Sequence, residues 1–208
     1  MLTSLSKLTV MGRWEPDGRG RLEQAALALY SERGFENTTV AQIAARAGLT
    51  ERTFFRHFAD KREVLFGGAG VVQELLVRAV ADAPETAAPI EAAAAGLEAA
   101  AAPLEERREL ALQRQTVIAA NPELQERELI KLASWSAALA ETLRSRGIAD
   151  PAASLAAEAA VAAFRIAFAR WIEASNTRKF AELIRESLDQ LKAVTAGQPA
   201  EARLTPTG

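Results

Sequence analysis

A chain of 208 residues in which about half are apolar and a quarter charged has the composition of a folded globular protein, not of a disordered one. The absence of cysteine excludes disulfides and thiolate metal sites, and a single histidine leaves too little material for a histidine-based metal site or catalytic triad. The net charge of −2 divides unevenly, since residues 1–66 carry ten basic and eight acidic side chains and the remainder fifteen and nineteen. A mildly basic head on an acidic body permits a nucleic-acid partner but does not require one.

No stretch of the sequence has the features of a membrane or secretory segment. The alanine-rich stretches are interrupted by Glu91, Glu98, Glu158 and Arg165, so we expect no membrane span. Residues 1–16 have no apolar core of the kind a secretory signal needs and are predicted to form a flexible arm. We therefore expect a cytoplasmic protein. The sequence also contains no dinucleotide-binding or phosphate-binding glycine loop and no nucleophile elbow, so we expect no cofactor and no enzymatic activity.

Three short helices are predicted in the first third of the chain. Apolar residues at helical spacing indicate a helix over residues 18–33, which Gly34 ends. Thr39 and Gln42 have the spacing of a capping box, in which each side chain satisfies a backbone donor of the first turn, and they predict a second helix that stops before Gly48. Thr50 is suited to cap a third helix over residues 51–58. The tight turn between the second and third helices gives them the proportions of a helix-turn-helix.

Longer helices are predicted beyond this head. A second capping box at residues 60–63 opens a helix over 61–81, and the Asn-Pro and Asp-Pro pairs at 121–122 and 150–151 combine an N-cap residue with proline at the first helical position. The remaining helices are predicted at 89–102, 103–120, 122–146, 151–174 and 177–194, and the tail at 197–208 is predicted to be disordered. The fold class is therefore all-α.

Residues 34–65 resemble the head of the tetracycline-repressor (TetR) family. The Gly-Phe, Thr-Thr-Val, Ile-Ala, Ala-Gly and His-Phe-x-x-Lys elements occur together and in order. The resemblance implies a three-helix helix-turn-helix DNA-binding domain at 17–66 and a helical domain for ligand sensing and dimerisation at 67–196. It also implies a homodimer on a palindromic double-stranded DNA operator, which we expect to be a repressor released by a small-molecule effector, although an activator can use the same head.

The third helix is predicted to be the recognition helix, with Phe54 and Phe58 on its buried side. Arg52 and Arg56 are four residues apart and share a face, so either could contact guanine or phosphate. Glu51 could accept a hydrogen bond from cytosine or be repelled by phosphate, and Phe55-Arg56 stands where two tyrosines are usual in the family. Lys61, at a predicted helix N-terminus, is suited to a phosphate. With the positions that the resemblance adds, the predicted DNA-binding residues are Thr39, Gln42, Thr50, Glu51, Arg52, Thr53, Phe55, Arg56, His57 and Lys61.

The last two helices are predicted to mediate dimerisation. The helix at 151–174 is apolar around most of its circumference, and the final helix has one apolar stripe. The family resemblance implies that both pair with their symmetry mates in a four-helix bundle. The predicted interface residues are Ala160, Phe164, Phe180, Leu183, Ile184, Leu188 and Leu191.

The body also resembles, more loosely, the C-terminal domain of mycofactocin-regulator-like members. This likeness implies a bulky, partly apolar effector such as an acyl thioester. The predicted ligand-binding residues are Gln113, Arg114, Trp135, Phe164, Arg165, Phe168 and Trp171. Two alternatives stay open, because the same aromatic residues could simply form a core, and the body could serve dimerisation alone. An enterable cavity in the body favours sensing, whereas a solidly packed body favours dimerisation alone.

Overall fold

The computed structural model describes residues 18–196, which form helices without any strand. The all-α prediction is therefore confirmed for this part of the chain. The predicted flexible arm at 1–16 and disordered tail at 197–208 lie outside the described residues. The helices are α1 (Gly18–Arg33), α2 (Val40–Arg46), α3 (Glu51–His57), α4 (Glu63–Phe66), α5 (Ala69–Ala81), α6 (Pro89–Glu105), α7 (Arg108–Ala119), α8 (Pro122–Ser145), α9 (Ala152–Trp171) and α10 (Phe180–Thr195).

The head consists of α1–α4, and its local signals act as predicted. The Thr39 hydroxyl accepts a hydrogen bond from Gln42 N at 3.3 Å, while Gln42 Oε1 accepts one from Thr39 N at 3.0 Å, so both halves of the capping box form. Thr50 caps α3 by accepting from Thr53 N at 3.2 Å. Gly34 and Gly48 have φ of 84° and 66°, the left-handed conformation in which glycine ends a helix without steric cost.

The hydrophobic core of the head continues into the body. Leu22, Phe35 and Phe54 are buried together with Ile118 of α7 and Leu124 of α8, in one cluster. The head therefore shares part of its hydrophobic core with the body, and α1 packs directly against α7.

The helix predicted over 61–81 is divided in two. Asp60 Oδ1 accepts from the backbone N–H of Arg62 at 2.8 Å and of Glu63 at 3.0 Å, so only one half of the predicted capping box forms, and α4 begins at Glu63. The Glu63 carboxylate instead pairs with Arg127 of α8. Consecutive glycines at 67 and 68 separate α4 from α5, since glycine has a low helix propensity.

The body contains α5–α10 around a second hydrophobic cluster. α9 lies in the middle, in contact with α6, α8 and α10. A new helix was predicted to begin at Pro103, but α6 continues through this residue to Glu105, because a proline near a helix end sacrifices only one hydrogen bond. Asn121 was predicted to cap α8, yet its Nδ2 donates to Val117 O at 2.6 Å and so satisfies the end of α7.

Two segments, Glu63–Ala81 and Ala152–Trp171, are long and apolar enough to cross a membrane by length and composition alone, contrary to the sequence expectation. Core packing accounts for part of the apolar character of both. Ala152–Trp171 is the central helix of the body, and Glu63–Ala81 is interrupted by the glycine pair and contributes buried side chains to both hydrophobic clusters.

Candidate nucleic-acid interface and effector cavity

The third helix, α3, presents a polar face to solvent and buries the opposite one. Phe54 and Phe58 are buried in the head core, and their rings pack against each other at a centroid distance of 5.5 Å. Phe55 is 56% exposed, which is unusual for so large an apolar side chain and leaves it free to contact a partner. Thr53 and His57 are half-buried, and the remaining predicted contacts of this helix, Thr50, Glu51, Arg52 and Arg56, are exposed.

The exposed arginines of the head differ in whether they are paired. Arg46 forms two hydrogen bonds of 2.6 Å with Glu32. Arg62 is paired with Asp60 at 2.7 Å. Arg52 and Arg56 form no ion pair within residues 18–196, so their charges are available to an external anion.

The two predicted contacts of α2 are partly used by the capping box. The Thr39 hydroxyl oxygen and Gln42 Oε1 each accept a backbone hydrogen bond. The Thr39 hydroxyl proton is not needed for that bond, so an exposed donor remains at the start of α2.

Lys61 has a different environment from the one predicted. Its Nζ donates to the backbone carbonyls of Phe35 at 2.8 Å, Thr38 at 3.2 Å and Glu36 at 3.3 Å, and it lies 4.3 Å from the centroid of the Phe35 ring. An ammonium group has three donors, and the loop between α1 and α2 takes all of them. The backbone N–H groups that follow Lys61 are bonded to Asp60. Lys61 therefore joins the start of α4 to the α1–α2 loop, and its phosphate contact stays a prediction.

A cavity of about 650 Å³ lies where the head meets the body. Its wall is formed by α1, by the segment from α4 to α5, and by α6–α9. It includes Leu27 of the head, Gly68 of the glycine pair and Leu104 and Leu110 of the body. A molecule in this cavity would touch the head, the body and the break between α4 and α5, where Gly67 and Gly68 lie.

The cavity brings together four of the seven predicted ligand residues: Arg114, Trp135, Phe164 and Phe168. The other three lie outside its wall. Arg165 is exposed on α9, Gln113 is half-buried on α7, and Trp171 is fully buried with its ring stacked on Phe180 at 4.8 Å.

Charged residues at one side of the cavity were not predicted as a group. Arg114 Nη2 lies 2.5 Å from Glu128 Oε2, and Lys131 Nζ lies 2.7 Å from Glu128 Oε1 and 4.4 Å from the Trp135 ring centroid. Burial and the nearby Arg114 guanidinium lower the pKa of Lys131 to about 8, in spite of its ion pair with Glu128. Burial alone would raise the pKa of Glu128, but Arg114 and Lys131 together hold it below its usual value. A lysine one turn before Trp135, on the inner face of α8, was the only sequence signal for this cluster.

A second charged group joins the head to the body across the cavity. Glu23 of α1 accepts from Arg19 Nε at 3.2 Å and from Arg107 Nη2, next to α7, at 2.8 Å. Arg19 also donates to the carbonyl of Gly67 in the break. Arg19, Glu23 and Arg107 line the cavity, whereas Gly67 does not. The head, the break and α7 are thus connected by one chain of hydrogen bonds.

The predicted dimer residues are mostly buried inside the chain itself. Phe180, Leu183, Ile184 and Leu188 pack against α6 and α9, and Ala160 and Phe164 of α9 lie in the same cluster. Leu191 is half-buried. Most of these side chains are therefore not accessible to a partner. A helix stripe buried against its own chain has the same sequence pattern as one buried against a partner, so the pattern alone does not distinguish the two. The exposed apolar residues of α9 are instead Ala152, Leu155, Ala162, Ile166 and Ala169, which share one face of the helix.

Two family models match the chain. Residues 23–66 match the model for bacterial regulatory proteins of the tetR family, and residues 87–196 match that of the MftR C-terminal domain. The first match covers the helix-turn-helix, and the second covers more than half of the chain, from the loop before α6 to the end of α10.

Curated relatives and solved structures agree with these two family matches. Over 74 residues the chain is 39% identical to the HTH-type transcriptional regulator TcmR of Streptomyces glaucescens, a match that covers 36% of this chain and 33% of TcmR. Over 47 residues it is 43% identical to the HTH-type transcriptional repressor KstR2 of Mycobacterium tuberculosis, covering 23% of this chain and 24% of KstR2. The chain thus aligns with a third or less of these relatives' length. Thermus thermophilus FadR, solved with lauroyl-CoA, has the same fold with a TM-score of 0.53 and 23% identity, over 91% of this chain and 100% of FadR. The chain belongs to the TetR family of bacterial regulatory proteins.

Proposed function

We propose that this protein is a cytoplasmic, homodimeric transcriptional repressor that a small-molecule effector releases from a palindromic DNA operator. The observation that carries the proposal is the cavity of about 650 Å³ whose wall includes both the DNA-binding head and the body. Because α1 of the head forms part of the wall, a ligand in the cavity can favour one position of α1 over another, as release from DNA requires.

The proposed operator contacts are made by α3 and the start of α2. Arg52 and Arg56 supply unpaired positive charge, and Phe55 supplies an exposed apolar group suited to a thymine methyl. Glu51, Thr50, Thr53, His57, Thr39 and Gln42 complete the proposed contact set. Lys61 contributes by holding the α1–α2 loop in position.

Reading two half-sites requires two heads held at a fixed spacing. We assign the dimer contact to the exposed face of α9, where Leu155 and Ile166 are 65% and 58% exposed. Isolated exposed apolar residues are ordinary, but five on one face of the central helix of the body form a surface that a second copy would cover.

The volume of the cavity is typical of sites for small organic ligands, which occupy roughly 300–1,000 Å³. The presence of the cavity favours a sensing role over a body used for dimerisation alone, since dimerisation does not require a space of this size. Among the relatives, FadR of the same fold was solved with lauroyl-CoA, and KstR2 is named a repressor. These precedents support an effector that is partly apolar and a negative sign of regulation.

Selection of bound fragments from genomic DNA tests the proposal. We expect a palindromic site that binds far more tightly than unrelated DNA, and we expect the double variant Arg52→Ala/Arg56→Ala to lose it. The double variant Arg46→Ala/Arg62→Ala, which removes two paired arginines of the head, is the matched control and should retain discrimination. Enrichment of no common sequence, or equal loss in both double variants, would contradict the DNA-binding assignment.

A further inference from the structure

We propose that the cavity binds an amphipathic effector with an acidic group, and that Arg114 and Lys131 hold this group. The inference rests on the proposed sensing function and specifies its ligand class. It derives from the charges in the cavity wall, not from the volume of the cavity.

The Arg114, Glu128 and Lys131 side chains leave one positive charge uncompensated. Both oxygens of the Glu128 carboxylate are used, one by Arg114 at 2.5 Å and the other by Lys131 at 2.7 Å. Arg114 Nε donates in addition to Leu65 O at 2.5 Å, which fixes its guanidinium against α4. All three charged side chains are at most 20% exposed, so water solvates the excess charge poorly. An anion from the cavity would supply the missing counter-charge.

The rest of the wall is either apolar or again positive. On the head side Glu23 is shared between Arg19 and Arg107, which also leaves one positive charge in excess. The lining residues of α5 and α9, which include Val72, Phe164 and Phe168, carry no charge. A molecule that matches this wall has an apolar body and an acidic end, whereas a cationic ligand would face two net positive clusters.

The environment of Lys131 gives the proposal a pH signature. The charged groups that face the cavity from the elements around Lys131 are Arg114 and Glu128, with Arg19, Glu23 and Arg107 on the head side. A bound anion favours the protonated ammonium and therefore raises the pKa of Lys131 from its value of about 8 in the empty cavity. Affinity for an acidic ligand is thus complete below this value and declines as the pH rises above it, by up to about tenfold per pH unit.

The test compares straight-chain acids and alcohols of equal length, from octanoate to tetradecanoate, below their micelle concentrations. Binding to the full chain is measured through tryptophan fluorescence and calorimetry between pH 6.5 and pH 9.5, where the acids stay ionised because carboxyl groups titrate at roughly pH 4–5. We expect the best acid to bind on the order of tenfold to a hundredfold more tightly than its alcohol at pH 7. The advantage should shrink above pH 8, and the affinity of the alcohol should not change with pH.

Two substitutions separate charge from titration. Lys131→Arg keeps a positive charge that does not titrate, so it should retain preference for the acid and lose the pH dependence. Lys131→Met should lower the affinity of the acid to that of the alcohol, and Lys192→Met, an exposed lysine of α10, should change neither. Equal, pH-independent binding of acid and alcohol to the unsubstituted protein overturns the inference but leaves sensing intact. Binding of neither over the whole series overturns the inference together with the sensing role.

Discussion

The side chain of Arg19, at the start of α1, donates a hydrogen bond to the backbone carbonyl of Gly67, at the break between α4 and α5. The guanidinium also lies 5.4 Å from the centroid of the Phe58 ring. One side chain of the head therefore contacts both the end of the helix-turn-helix and the junction with the body. Arg19 contacts Gly67 and not Gly68, so we expect the two glycines to differ in their tolerance of a side chain.

Substitution of each glycine by alanine should have opposite effects on stability. At Gly67 an added Cβ would lie 3.0 Å from Phe58 Cε1 and 3.2 Å from Glu63 O and would also collide with Arg19, so we expect a loss of about 1–3 kcal/mol. At Gly68 nothing lies within 4 Å and the backbone is helical, so Gly68→Ala should gain about 0.4–1 kcal/mol by restricting the unfolded chain. Urea unfolding measures both. Two equal effects of the same sign would show that Gly67 has no special packing role.

Lys61→Met should destabilise the head without changing the number of phosphate contacts. It removes the donors for three loop carbonyls, for which we expect a loss of about 1.5–3 kcal/mol, and it should weaken binding to all DNA sequences alike. Because no phosphate contact is lost, the slope of log affinity against log salt should stay constant. Arg52→Gln is the comparison, and it should reduce that slope by about one. A stable Lys61→Met protein whose slope is lowered by one would instead support the phosphate contact predicted from the sequence.

The contrast between Thr39 and Lys61 shows how far the sequence alone could go. Thr39 and Gln42 act within one helical turn, so their spacing determines their hydrogen bonds, and the same holds for the glycines that end α1 and α2. Lys61 bonds to residues more than twenty positions earlier in the chain, and no local pattern contains that contact. The helix α3 was predictable because its buried residues, Phe54 and Phe58, recur at helical spacing, and its role as the recognition helix stays a prediction.

The cavity depends on tertiary packing and was predicted only in part, and the dimer interface stays a prediction. The apolar stripe of α10 is a clear sequence feature, but the pattern does not state whether the chain or a second copy covers it, and here the chain does. Trp135 and Phe168 were predicted as either core or ligand residues, and they line the cavity. Arg19 and Glu23 were missed because they belong to the head, which sequence reasoning treated as separate from the ligand site.

Arg56→Ala should weaken binding to the selected operator by about 1–3 kcal/mol while leaving binding to unrelated DNA nearly unchanged. Arg56 is exposed on α3 without an ion-pair partner in the described part of the chain, so the substitution removes an intermolecular contact and little intramolecular energy. Arg46→Ala is the control, since Arg46 is also exposed in the head but is paired with Glu32. Competition binding with operator and random duplexes distinguishes the cases. An equal loss on both kinds of DNA would assign Arg56 to the phosphate backbone.

Ile166→Glu should convert the proposed dimer into monomers. Ile166 lies 58% exposed at the middle of the apolar face of α9, where a buried carboxylate would meet its own symmetry mate without a partner. Leu129→Glu, on α8 with 57% exposure, is the matched control and should remain dimeric. Sedimentation velocity measures the assembly, and operator binding should weaken in parallel with it. A dimeric Ile166→Glu protein beside a monomeric Leu129→Glu protein would move the interface to α8.

Arg107→Gln should reduce induction without reducing stability or operator affinity. Arg107 is more than half exposed, so its ion pair with Glu23 contributes only about 0–1 kcal/mol to folding. The same pair nevertheless completes the connection from Gly67 through Arg19 and Glu23 to α7, across the wall of the cavity.

The quantity to measure for Arg107→Gln is the coupling between ligand and operator. A useful response corresponds to about 1–3 kcal/mol, and removal of one member of the connecting network should take away about 0.5–2 kcal/mol of it. Arg185→Gln is the matched control, because Arg185 forms a pair of similar exposure with Glu98 between α10 and α6, outside the 650 Å³ cavity. The ligand must lower operator affinity and the operator must lower ligand affinity by the same factor, so calorimetry with and without DNA measures the coupling twice. If Arg107→Gln and Arg185→Gln keep the full coupling factor, the head responds to the ligand through the shared packing of α1 on α7 and not through the Glu23 ion pairs.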